Sequence, residues 1–275
     1  PSIIMIVYGV AAEVSIAKLF VAGVVPGLLL ACLFSGYLMV WALRNPDQVP
    51  RHDDHMSLRE KLRESRHLIP VVLLIGGVIG TIYTGIATAT EAAAVGVVGA
   101  LLLSAAQGSL NWATFREALM GATRLYCMIA LILTGAAFLT LSMGYIGLPR
   151  HLAEYVTALQ LSPAVLIVAL AFFYMLLGCF LDGISMIVLT MGVILPTVTA
   201  AGIDLLWFGV FVVIVVEMAQ ITPPVGFNLF VLQSMTQREI TWIARVCMPY
   251  FFIMALALAL LWWFPGLATW LPSRM

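Results

Sequence analysis

Long apolar runs fill the chain, and polar residues come in short clusters between them. Residues 1–14 form an apolar half-segment, and Leu19 to Trp41 reads as a full span with Pro26-Gly27 as a predicted kink. Ile69 to Tyr83 and Ala92 to Ala106 are apolar runs joined by TGIATATE. Asn111 to Thr123 is amphipathic, Leu125 to Tyr145 is a span, and Pro149 to Gln160 is amphipathic again. Pro163 to Leu181 and Ile184 to Val198 flank GCFLDG, and Leu205 to Gln220 and Phe227 to Ser234 flank ITPPVG. Thr236 to Val246 predicts a surface arm, and Pro249 to Phe264 the last span. One bilayer crossing takes roughly 20 helical residues, so the pattern predicts an all-α polytopic membrane protein.

Composition sharpens that reading. Of 275 residues, 63% are hydrophobic and 9% charged, against about 25% charged in a soluble domain. The formal net charge is zero, so the basic footprint of a nucleic-acid binder is missing. Cys32, Cys127, Cys179 and Cys247 lie singly in apolar stretches and read as small core residues. The four histidines fall in polar connections, which argues against a buried metal centre. The opening PSIIMIVYG has no methionine, basic stretch or cleavage site and reads as the middle of a membrane segment, so the chain is expected to be N-terminally incomplete.

Charge also predicts a path through the membrane. Six of the thirteen lysines and arginines lie between Arg44 and Arg66, which places that loop, with a short surface helix from Ser57, in the cytoplasm. Two crossings over 69–106 then return Arg116 and Arg124 to the same side. The stretch 163–198 dips in and back, and 205–234 crosses once with a break in the middle. Aligning Pro1 with Pro224 puts Pro26 on Pro249, an internal repeat whose two copies run in opposite directions along this path. Inverted repeats and broken helices mark secondary transporters, with the site at the breaks.

Two clusters carry the candidate chemistry. In ITPPVGFN, consecutive prolines forbid regular helix and free backbone carbonyls, which bind a hard cation if they face a wet cavity. Thr222 and Asn228 add side-chain oxygens, and the structural alternative is a packed kink. In GCFLDGIS, Asp182 is a carboxylate between two apolar half-segments, by default a functional residue for a cation or a polar substrate. Its structural alternative is the cap of the following helix, and the two roles are compatible. Ser2 is a plausible tip residue, Glu217 an ambiguous polar contact, and Lys18 a snorkelling residue beside Glu13. Thr88-x-x-Glu91 fits a capping box, read as structural.

PSIIMIVYG, GIATATEAAAV, GCFLDGISMIVLTMGVILP and EMAQITPPVGFNLFV, in this order, resemble the large membrane subunit of tripartite ATP-independent periplasmic (TRAP) transporters. The likeness runs the length of the chain, with TATEA where the family usually has T-P-T-E-A. It implies an elevator-type carrier driven by sodium rather than ATP, in a bacterial inner membrane. It also implies a small membrane subunit and a periplasmic substrate-binding protein as partners, and organic acids such as C4-dicarboxylates or sialic acid as substrates. Residues 1–14, 163–199 and 203–235 would belong to the moving transport domain, and 15–68, 69–160 and 236–275 to the scaffold. Ser2, Asp182, Gly183 and Ser185 would face the substrate. Pro1, Gly178, Ile221, Thr222, Pro223, Pro224, Gly226 and Asn228 would help hold sodium. A related anion–sodium symporter without a binding protein remains open. An intramembrane hydrolase is disfavoured, since neither a second membrane aspartate nor HExxH is present.

Overall fold

The computed structural model describes residues 2–47, 65–147, 151, 154, 162–178, 180–223 and 226–275, and their regular structure is helical throughout. In chain order the helices are α1 (Ile3–Ala11), α2 (Ile16–Arg44), α3 (Ile69–Tyr83), α4 (Ala89–Ala106), α5 (Trp112–Ile146) and α6 (Pro163–Leu177). They continue as α7 (Gly183–Ala200), α8 (Leu205–Gln220), α9 (Phe227–Thr236), α10 (Ile240–Trp263) and the single turn α11 (Gly266–Thr269). Among them α2, α4, α5, α7 and α10 are long and apolar enough to cross a membrane, and α3, α6 and α8 are shorter apolar helices. The protein is thus a multi-pass membrane protein. The surface helix expected from Ser57, the amphipathic stretch 149–160, and Pro1, Cys179 and Pro224 fall largely or wholly outside the described residues.

The structure corrects two predicted boundaries. The predicted amphipathic arm 111–123, from Trp112 on, and the span after it are one helix, α5, and the arm from Ile240 on is likewise joined to the last span in α10, while Thr236 ends α9. A change from amphipathic to apolar pattern changes what a helix faces, and nothing at Arg124 interrupts its backbone. Pro249 lies inside α10, as Pro26 lies inside α2, and both helices run through their prolines. Neighbouring helices and local adjustment make such prolines tolerable in membrane segments.

The chain divides into two compact units. One comprises Cys32–Arg124 (with Met275) and contains α3 and α4, which pack as a hairpin. Gly96 and Gly99 of α4 sit against Val78 and Leu74 of α3. Their turn ends in a complete capping box: the Glu91 N–H donates to Thr88 Oγ1 at 3.3 Å, and the Thr88 N–H donates to Glu91 Oε2 at 2.8 Å. Much of the unit's apolar surface is exposed, as lipid contact requires.

The other unit comprises Pro1–Ala31 and Leu125–Arg274, and α8 is its core. Residues from Trp207 to Val216 are all buried, and so are Met218, Ala219 and Gln220. Helices α1, α6, α7, α9, α10 and α11 all contact α8. Small residues let them come close, the usual basis of helix association in membranes. A Cβ on Gly209 would lie 2.6 Å from the Tyr8 ring. Polar ends are tied down: Tyr8 Oη donates to the Leu205 carbonyl at 2.8 Å, and Trp207 Nε1 donates to the Leu261 carbonyl at 3.0 Å. Tyr174 of α6 and Thr190 of α7 share a hydroxyl–hydroxyl bond of 2.8 Å.

The two ends of the chain follow the same plan. Short α1 leads through Glu13 into proline-bearing α2, and short α9 leads through Gln237 into proline-bearing α10. Glu13 (φ 54°) and Gln237 (φ 55°) are the described non-glycine residues in left-handed conformation. Pro26 and Pro249, which the sequence alignment pairs, each lie inside the longer helix of their end.

Candidate functional site

Two helices begin at one cavity of about 550 Å³, lined by Ser2, Ile3, Ile4, Met128, Asp182, Gly183, Ile184, Glu217, Gln220 and Asn228. Ser2 caps α1, its Oγ accepting from the Ile4 N–H at 3.1 Å. Asp182 caps α7: its Oδ2 accepts from the N–H groups of Ile184 and Ser185 at 3.1 and 3.2 Å, and its Oδ1 accepts from the Ser185 hydroxyl. Such donors lower the cost of holding a carboxylate in a membrane protein. A helix N-terminus also carries partial positive charge, met here by the Asp182 carboxylate at α7 and the Ser2 hydroxyl at α1.

The wall opposite is the end of α8. Glu217 and Gln220 lie three residues apart, on one helical face. Asn228, just inside α9, donates from Nδ2 to Glu217 Oε2 at 3.5 Å. Between the helices the chain is irregular. The Thr222 hydroxyl donates to the Met218 carbonyl at 2.6 Å. Gly226 has φ 46°, and a Cβ there would lie 2.9 Å from the carbonyl oxygens of both Gln220 and Thr222. Only glycine admits so close an approach of two carbonyls in this conformation. Clustered backbone oxygens suit a hard monovalent cation. Among the described residues, no three His, Cys, Asp or Glu side chains gather as a transition-metal centre requires.

Of the residues singled out by sequence, Ser2, Asp182, Gly183 and Asn228 come together around the cavity. Ser185 reaches it through its bond to Asp182. Ile221, Thr222, Pro223 and Gly226 form the break that follows α8, with Gly226 buried and Pro223 exposed. Gly178 ends α6 against Ala219 of α8, so its visible role is close packing. Pro1 and Pro224 lie outside the described residues. Gln220 was assigned no role by sequence and Glu217 an ambiguous one; polar residues three apart on an otherwise apolar helix were the available signal.

Fold and cavity together describe a multi-pass membrane protein with a polar cavity where its helices start and break. The chain matches the family described as "Tripartite ATP-independent periplasmic transporter, DctM component" over residues 1–267 and belongs to it. It is 31% identical to the C4-dicarboxylate TRAP transporter large permease protein DctM of Pseudomonas aeruginosa, over 99% of this chain and 64% of that protein. It is 32% identical to the ectoine/5-hydroxyectoine large permease protein UehC of Ruegeria pomeroyi, over 98% of this chain and 63% of the relative. With the sialic acid large permease protein SiaM of Vibrio cholerae it shares 29% identity, over 99% of this chain and 64% of the relative. The chain thus spans less than two thirds of the length of these relatives. They are named as transporter permeases rather than enzymes.

Proposed function

We propose that the protein is the permease subunit of a sodium-coupled, binding-protein-dependent importer of organic acids. Its partners are a small membrane subunit and a periplasmic substrate-binding protein, and it works in a bacterial inner membrane. The observation that carries the reading is one cavity shared by the N-termini of α1 and α7 and by Gln220 and Asn228, which flank the break after α8. Ser2 lines the cavity with a hydroxyl for the acid, and Asp182 accepts from hydroxyl groups of the acid or shares the sodium that screens the two carboxylates from each other. Sodium is held beside it by oxygens of the Ile221 to Asn228 stretch. Coupling follows because the cation offsets the charge of the acid in a poorly solvated site. Movement is by an elevator step, in which the α6–α7 hairpin and α8–α9 carry the cavity across.

Uptake into proteoliposomes containing the full transporter, with binding protein added, tests this. The expected result is uptake that needs a sodium gradient and no ATP. Uptake that persists when potassium replaces sodium at fixed pH and voltage overturns the coupling.

A further inference from the structure

Gln220 is the last residue of α8, a helix whose other residues from Leu205 to Val216 are all apolar. It is only 7% exposed and lines the cavity. Its carboxamide hydrogen-bonds no described residue, and among the described residues no buried side-chain polar atom is sealed without a partner. The residue faces the cavity. It lies over the first residue of α7: a Cβ on Gly183 would sit 2.5 Å from Gln220 Nε2. Of the nearby carboxylates, Asp182 accepts from three donors and Glu217 Oε2 from Asn228 at 3.5 Å. An amide in so enclosed a place costs stability while it lacks a partner, and an apolar side chain of similar size would not.

We propose that Gln220 contacts the substrate and sets specificity, its carboxamide N–H donating to a carboxylate oxygen of the acid held at the start of α7. This rests on the transport reading above. A bound acid completes the hydrogen bonding of Gln220, and a ligand without an oxygen at that point leaves the amide unpaired and is rejected.

The test uses the complete membrane assembly, with succinate, sialic acid and ectoine as probes and sodium present. Binding is read by calorimetry and stability by thermal unfolding without acid. Gln220→Leu is expected to weaken binding of the acid that wild type takes by about tenfold or more, and to leave the unfolding temperature unchanged or higher. Gln220→Asn, which keeps the amide, is expected to recover part of the loss. Equal affinity in Gln220→Leu overturns the proposal. A marked fall in its unfolding temperature does so too, since the side chain is then structural. A wild-type assembly that takes up none of the three acids overturns the transport reading, and this proposal with it.

Discussion

Thr88 and Asp182 both cap helices, and their surroundings differ completely. At Thr88 the cap is a closed exchange with Glu91, exposed beside the α3–α4 turn, and the first helical residue is alanine, Ala89. At Asp182 the cap sits on a cavity, and the first helical residue is Gly183, wedged against Ile4, Val216 and Gln220. Cap geometry alone therefore does not separate a cap that only closes a helix from one that also lines a cavity. What separates them is the cavity, and a glycine where an alanine would serve a plain cap better.

The largest expected effect is at Asp182. Asparagine caps as well as aspartate, so Asp182→Asn keeps the helix start and removes the charge. It is expected to lower uptake about tenfold or more, with expression and assembly intact. Normal uptake under a sodium gradient makes the two caps equivalent and ends the contrast. Next comes Gly183→Ala, whose Cβ would meet Ile4 and Val216 side chains at 2.8 Å. Overpacking of this kind costs about 1–3 kcal/mol, read as a fall in unfolding temperature together with slower uptake. An unchanged unfolding temperature means that the wedge yields easily. The smallest effect is at the surface cap. Thr88→Ala is expected to cost about 0.5–2 kcal/mol of stability, with sodium dependence of uptake unchanged. A selective loss of sodium affinity there places Thr88 in the transport machinery.

Much of the fold was legible because membrane chains announce their helices by apolar length, and because Pro223-Pro224 and GCFLDG interrupt them chemically. Asp182 was legible because a carboxylate between apolar half-segments is costly. The continuity of α5 and α10 was not, since a change of helix face looks like a boundary in sequence. Nor were Glu13 and Gln237, whose left-handed backbone carries no glycine to mark it. Gln220 was visible as a polar residue, but only the packing shows that its amide lies beside Gly183 and hydrogen-bonds no described residue. Hydrophobic pattern tells which segments enter the membrane, and says little about which polar atoms lack partners inside it.

Burial of α8 by protein on nearly every side bears on how the chain is made. Its apolar surface meets other helices rather than lipid in the finished fold. Yet α9 and α10, which help cover it, follow it in sequence and are synthesised later. Newly made α8 has to settle in the bilayer without them. Sixteen residues at 1.5 Å each give about 24 Å, short of a hydrocarbon core of about 30 Å. Its hydrophobicity thus serves membrane insertion first and packing afterwards, and a nascent chain stalled before α10 would expose a short, incompletely covered helix to the quality-control machinery of the membrane.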